Sequence, residues 1–200
     1  MKYVDSQRLL HELKHEVDEL IQTVEAEFAP LTNDQLLQAP AAGHWSIAQC
    51  FEHLNTYGYY YLPLMEQAIR QGETRQLTAT RTFRSSWLGD YFTRAMLPKP
   101  DGSIGYKAKA FKNHRPEPQL DAQAVLAEFL RQQHHLIQLL QQAQAVDMGR
   151  LKIPISIARW IKLSLGDTFR FFVAHEIRHV LQAQKARQAI AANAPWLVER

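Results

Sequence analysis

The stretch Thr168-Phe-Arg-Phe-Phe-Val-Ala-His175-Glu-Ile-Arg-His179-Val-Leu-Gln182 determines how we interpret the rest of the chain. Its apolar residues recur at helical spacing, and residues four apart on a helix lie one above the other on the same face. The imidazoles of His175 and His179 can therefore reach the same ion or the same substrate. The letters also spell His-Glu-x-x-His, the pattern in which metalloproteases bind zinc and use the glutamate as a general base.

This helix is apolar on almost every side. One narrow polar stripe interrupts the apolar surface, formed by Thr168, His175, His179 and Gln182. The stripe is either the solvent side of the helix or, if the helix is buried, the lining of a polar pocket inside a bundle. Phe171 and the phenylalanine after it flank the histidines closely, which favours the pocket. Thr168 and Gln182 would then orient the two imidazoles.

Composition indicates one globular domain over residues 1–200, because 46% of the residues are apolar and 22% are charged. The net charge of +3 is too small to indicate a nucleic-acid partner. No run approaches the roughly 20 apolar residues of a membrane span. The N-terminus lacks the apolar run of a signal peptide and Cys50 is the single cysteine, so we expect a cytoplasmic protein. We expect a small molecule as its ligand, and a homodimer is compatible with the sequence.

Four amphipathic segments predict four long helices, and a capping box of Ser46 and Gln49 marks the start of the second. The predicted helices cover residues 5–28, 46–72, 121–147 and 164–192. Residues 152–157 alternate briefly like an extended segment, but no convincing set of strands emerges. The fold class is therefore all-α, a four-helix bundle with a long irregular connection at 73–120 that contains a short helix near 86–96.

A second His-Glu-x-x-His lies in the first helix, from His11 to His15. Its histidines lie well away from the apolar stripe and should face solvent, so the motif alone carries little information. A protease would also need a third ligand after His179, where Glu199 is the only acidic residue at a plausible distance. We therefore disfavour a protease, and we treat Glu176 as a candidate catalytic residue that is better explained as a supporting carboxylate.

A third metal ligand is available in the second helix, where His53 lies at the edge of the apolar face. Three histidines leave positions open for water or substrate, which is typical of catalytic zinc sites. Cys50 lies one turn earlier and is either a further neighbour of the ion or a small buried apolar residue. Tyr57 shares this face, and its hydroxyl is a second candidate catalytic group.

The connection at 73–120 is rich in lysine and arginine. It is either a solvated loop or a cationic cover over a site that receives an anion. For the second interpretation, the candidate cofactor-binding residues are Arg81, Arg84 and Lys112.

Trp45-Ser46-Ile47 with His53-Leu54, and His175-Glu-Ile-Arg-His179 with Gln182, resemble the DinB-like (YfiT-like) superfamily of metal-binding four-helix bundles. The resemblance implies metal ligands at His53, His175 and His179 and a divalent ion, zinc or nickel. Characterised members include thiol-dependent S-transferases that use bacillithiol or mycothiol, and a maleylpyruvate isomerase. It therefore implies a metal-dependent transferase, or a related hydrolase or isomerase, that acts on small electrophiles with a thiol such as bacillithiol as cofactor. The alternative is a metal-binding or small-molecule-binding bundle without catalysis, of the stress-response kind.

Overall fold

The structure is a computed structural model that describes residues 3–105, 110–117 and 119–193. Its helices are α1 (Ser6–Glu27), α2 (Asn33–Leu37), α3 (Ile47–Thr74), α4 (Trp87–Met96), α5 (Ala122–Gln142) and α6 (Leu165–Asn193). Its strands are β1 (Tyr3–Asp5), β2 (Thr82–Arg84), β3 (Lys152–Ile155) and β4 (Ala158–Ser164). Short 3-10 turns cover Lys112–His114 and Ala143–Ala145.

The long helices α1, α3, α5 and α6 form a four-helix bundle, which confirms the predicted fold class. Helix α3 packs against α5 and α6, and α1 packs against the same two helices. Val17, Phe129 and Phe169 are among the core side chains with no exposed surface. Burial of such a side chain contributes about 1.5–3 kcal/mol, so the shared apolar core holds the bundle together. None of the described helices combines the length and apolar character that a membrane crossing requires.

The helix starts are fixed by the capping residues that the sequence predicts. At α3, the Gln49 amide donates to Ser46 Oγ at 3.2 Å and the Ser46 amide donates to Gln49 Oε1 at 3.0 Å. Asp121 accepts from the Ala124 amide at the start of α5. Because the capping box fixes the register of α3, it also places His53 in the second turn, on the face toward α6.

A buried carboxylate joins α4 to the start of α6. Asp167 has no exposed surface, and it accepts hydrogen bonds from the Ser86 amide at 3.1 Å and from Ser164 Oγ at 2.8 Å. A Cβ on Gly89 would lie 2.1 Å from Asp167 Cγ, so only glycine permits this approach of α4. The connection at 73–120 is thus partly ordered, and its helix is held against the bundle.

Two regions differ from the sequence-based expectation. Residues 158–164 form β4, which pairs antiparallel with β3, although the sequence predicted no strand there. The third long helix ends at Gln142 rather than near Asp147, because the chain tightens into a 3-10 turn and Val146 then bridges to Thr78. A second short ribbon pairs β1 with β2.

Candidate metal centre

Three buried histidines converge between α3 and α6. His53, His175 and His179 are 3%, 4% and 8% exposed, and their candidate ligand atoms lie within 4.8 Å of one another. The polar stripe of α6 therefore lines a pocket rather than the solvent side of the bundle. In contrast, the histidines of the first motif, His11 and His15, are exposed on α1.

The orientation of His53 is set by the irregular connection. Its Nδ1 lies 2.6 Å from the backbone oxygen of His114. Because a carbonyl oxygen only accepts, this Nδ1 must carry the proton, and the lone pair of Nε2 is left for another partner. That Nε2 lies 3.3 Å from Nε2 of His175.

The spacing of these two nitrogens fits a shared metal ion. Two imidazole nitrogens at 2.0–2.1 Å from a tetrahedral zinc ion are separated by about 3.3 Å. The observed Nε2–Nε2 distance between His53 and His175 is the same, 3.3 Å. The donor set also fits, because neutral imidazole is a common ligand of divalent transition metals. The three histidines can therefore hold such an ion.

Burial keeps the three imidazoles neutral. It lowers the pKa of His53 to about 4, and it is the main cause that lowers the pKa of His175 and of His179 well below the ordinary value. The neighbouring imidazoles and the positive charge of Arg178 act in the same direction. Each histidine therefore presents the unprotonated form that a metal requires.

Aromatic rings surround the cluster. The ring of Trp45 lies 5.0 Å from that of His53 and 6.0 Å from that of His179. The ring of Tyr57 lies 4.3 Å from that of His175 and 3.9 Å from that of His114. Burial raises the pKa of Tyr57, so its hydroxyl stays protonated and can donate a hydrogen bond.

Supporting contacts differ among the polar residues of α6. Gln182 lines the cavity beside His179, and its side chain acts to raise the pKa of that imidazole, against the larger effect of burial. Thr168 instead donates to the Ser164 carbonyl at 2.8 Å. Within the described residues, Nδ1 of His175 and Nδ1 of His179 have no hydrogen-bond partner.

A cavity of about 1220 Å³ opens over the cluster. Its walls come from α3, α4, α6, the β3–β4 hairpin and the connection that follows α4. Three cationic side chains line it, Arg115, Arg178 and Lys185, and no aspartate or glutamate does so in the part of the chain that the structure describes. The histidines are thus accessible to a ligand of substantial size that meets positive charge.

The remaining sequence candidates lie elsewhere. Glu176 is buried, its Oε1 accepts from Gln133 Nε2 of α5 at 2.8 Å, and it does not line the cavity. Arg81 and Arg84 are exposed at the β1–β2 ribbon and do not line it either. The side chain of Lys112 and all of residues 194–200, which include Glu199, lie outside the described part of the chain.

Cys50 is also buried, and burial raises its pKa to about 12, so it is a protonated thiol away from the cavity. Sequence reasoning missed Arg178 and used Trp45 only as part of a motif. Arg178 stands beside His179, but nothing in the sequence tells which way a cation on a mostly apolar helix points. The aromatic contact of Trp45 with two histidines likewise depends on how α3 meets α6.

Comparison with known proteins agrees with this geometry. The model of the DinB superfamily matches residues 7–183. A solved structure described as "YfiT from Bacillus subtilis is a probable metal-dependent hydrolase with an unusual four-helix bundle topology" is similar to the chain, with a TM-score of 0.51 and 14% identity. That similarity covers 93% of this chain and 87% of the other, and at this identity it shows the fold. No curated protein matches. The fold, the site and the match over most of its length agree that the chain belongs to the DinB superfamily.

Proposed function

We propose that the chain is a metal-dependent enzyme in which His53, His175 and His179 hold a divalent ion, zinc or nickel. The observation that carries this proposal is the convergence of three buried, neutral imidazoles on one point that a large cavity reaches. A divalent ion there would act as a Lewis acid and make a water or thiol ligand more acidic. Among the described residues no fourth histidine, cysteine or carboxylate joins the cluster, as expected for a catalytic site with an open position.

The reaction we favour is transfer of a low-molecular-weight thiol, of the bacillithiol kind, to a small electrophile. A sulfur–carbon bond forms, and the leaving group departs with the electrons of the bond that breaks. The cavity supports a reaction of two molecules, because 1220 Å³ exceeds the roughly 300–1000 Å³ typical of a pocket for one drug-sized ligand. Hydrolysis, in which water replaces the thiol, is supported by the description of YfiT as a probable hydrolase.

The chain's own residues have separate roles in this proposal. The carbonyl of His114 holds His53 in the tautomer that directs Nε2 inward. Trp45 packs beside His53 and His179 and forms an apolar part of the cavity wall there. Tyr57 keeps its proton and can donate a hydrogen bond to negative charge that develops on the substrate.

The test combines metal analysis with two assays. Zinc-loaded protein is offered 1-chloro-2,4-dinitrobenzene with bacillithiol, cysteine or glutathione, and 4-nitrophenyl acetate without a thiol. We expect a thiol-dependent rate that falls at least 100-fold in His53→Ala. His11→Ala removes an exposed histidine of the same motif type and should leave the rate unchanged.

The outcomes separate three functions. Turnover of the ester in the absence of a thiol, without thiol transfer, would show that the protein is a hydrolase and not a transferase. Metal bound at one ion per chain without either rate would refute the enzyme and leave a metal-binding bundle. A rate that survives in His53→Ala would show that the reaction does not use this centre.

A further inference from the structure

His53 differs from the other two histidines of the cluster in how its ring is fixed. His175 and His179 stand four residues apart on α6, so their relative position follows from the helix itself. Their Nδ1 atoms have no hydrogen-bond partner among the described residues. His53 comes from α3, and its Nδ1 donates to the backbone carbonyl of His114 at 2.6 Å. The geometry of the cluster therefore depends on what holds that carbonyl in place.

The side chain of His114 is bonded to the same turn of α3. Its Nδ1 lies 3.0 Å from Oγ1 of Thr56, and this Oγ1 lies 2.7 Å from the backbone oxygen of His53. Because a carbonyl oxygen only accepts, the Thr56 hydroxyl donates to His53, and its oxygen accepts from Nδ1–H of His114. His114 thus contacts α3 twice, with its carbonyl at the ring of His53 and with its ring at Thr56. We call this pair of contacts the His114 clasp.

Packing reinforces the clasp. His114 is 5% exposed, and its ring lies 3.9 Å from that of Tyr57, with 30° between the planes. The ring of Tyr57 in turn lies 4.3 Å from that of His175. The His114 amide donates to the Phe111 carbonyl at 2.9 Å, which closes the turn that presents the His114 carbonyl. That carbonyl is therefore held at a fixed position beside the cluster.

We propose, on the basis of the proposed function, that Thr56 and the side chain of His114 are positioning residues for the metal centre. They act through the His114 carbonyl, which keeps the proton of His53 on Nδ1 and leaves the lone pair of Nε2 for the ion. The nitrogen of a histidine that binds metal is selected by the hydrogen bond of its other nitrogen. Loss of such an outer contact typically weakens a metal site about 10–100-fold. Neither Thr56 nor His114 lines the cavity, so their effect on the metal is separate from contact with substrate.

The tautomer of His53 in the metal-free protein tests the clasp directly. Long-range proton–nitrogen NMR at pH 8 distinguishes protonation on Nδ1 from protonation on Nε2, and the spectrum of His53→Asn identifies the His53 signals. We expect the Nδ1–H form in the wild type and in Thr56→Ser, which keeps the hydroxyl. Thr56→Val keeps the shape without the hydroxyl and should show a mixture of both forms. A wild type with His53 protonated on Nε2 would overturn the inference, and so would a Thr56→Val protein that loses stability but keeps the wild-type tautomer.

Zinc affinity of the same proteins, measured by competition with a chromogenic chelator, tests the effect on the metal. Thr56→Val should weaken zinc binding about tenfold, whereas Thr56→Ser should stay within about twofold of the wild type. Thr23→Val is the matched control, because Thr23 is also partly buried on a long helix and donates to the Glu19 carbonyl of the preceding turn at 2.8 Å. The control should bind zinc as the wild type does. Equal zinc affinity in Thr56→Val and Thr23→Val would overturn the inference.

The side chain of His114 is tested in the same way, and its variants decide if Thr56→Val does not fold. His114→Asn keeps an N–H donor near the position of Nδ1 and should bind zinc within about threefold of the wild type, whereas His114→Leu should bind it about tenfold more weakly. Equal zinc affinity in these two variants would contradict the role of the N–H group.

The two measurements also separate this inference from the proposed function. A wild type that binds no zinc, with His53 protonated on Nδ1 only while the clasp is intact, would refute the proposed function and support the clasp. One zinc ion per chain, held as tightly in Thr56→Val as in the wild type, would refute the clasp and support the metal centre.

Discussion

Glu176 stands between the two histidines in the sequence, but its carboxyl group lies among the side chains of α5. It is 1% exposed, its Oε1 accepts from Gln133 Nε2, and its Oε2 has no partner within the described residues. Burial raises the pKa of this carboxyl from the ordinary 4.5 to about 8. Glu176→Gln keeps the shape and the acceptor for Gln133 while it removes the ionisable group.

The sign of the pH effect follows from the raised pKa. The folded protein holds this proton more tightly than the unfolded chain, so the wild type loses stability as the pH rises from 4.5 to 8. A shift of three to four pH units corresponds to about 4–5 kcal/mol, which is an upper value for this contribution. The Gln variant lacks that loss. Relative to the wild type it should therefore be more stable at pH 9 than at pH 5, by several kcal/mol.

Urea unfolding of both proteins at pH 5, 7 and 9 measures this difference, since all other groups titrate alike in the two chains. Glu12→Gln is the matched control, because this glutamate occupies the same position in the first motif and its side chain is 54% exposed. The control should show no comparable pH dependence. Thiol-transfer activity of Glu176→Gln at pH 7 should stay within twofold of the wild type.

Two results would refute the reasoning about Glu176. A stability difference that is the same at pH 5 and pH 9 would show that the carboxyl does not titrate in a buried site. A 100-fold loss of activity with unchanged stability would make Glu176 a catalytic base, as in a protease.

Two further predictions concern the stability of the protein at low pH and the packing of α4 against α6. The lowered pKa of His53, about 4, means that the metal-free protein loses stability as the pH falls from 6.5 through 4, by about 3 kcal/mol from this group alone. Urea unfolding of Glu176→Gln with and without His53→Asn isolates the contribution of His53 from that of the other two histidines, and an equal loss of stability between pH 7 and pH 4 in both proteins would contradict it. Gly89→Ala places a Cβ against the buried Asp167, so it should cost about 1–3 kcal/mol in thermal unfolding. Arg94→Ala, which removes an exposed ion pair on the same helix, should cost less than about 1 kcal/mol, and an equal cost for both variants would argue against close docking.

The sequence was sufficient for features that depend on local periodicity. The spacing of His175 and His179, the capping box before His53 and the outward position of His11 all follow from helical geometry, and the structure agrees. These features already led to the bundle and to the three histidines.

Features that depend on the packing of distant segments could not be derived in this way. The partner of His53 is a backbone carbonyl in an irregular segment. Every residue has such a carbonyl, so the amino-acid sequence does not indicate which one accepts the hydrogen bond. The density of positive charge in the 73–120 connection selected Arg81 and Arg84. Which cationic side chain lines the cavity depends on how the segments pack, and in the structure it is Arg178 that does so. The strand at residues 158–164 was missed because it is stabilised by hydrogen bonds to β3, and its own residues do not alternate regularly between apolar and polar as a strand pattern would.

The central claim is that His53, His175 and His179 together hold one divalent ion. The most direct measurement is the metal content, by elemental mass spectrometry, of protein purified without chelators and offered zinc or nickel. We expect about one ion per chain in the wild type and in a His11→Ala, His15→Ala double variant, and none in His53→Ala or in a His175→Ala, His179→Ala double variant. A His53→Ala protein that keeps its full metal content, or a wild type that takes up none, would contradict the account.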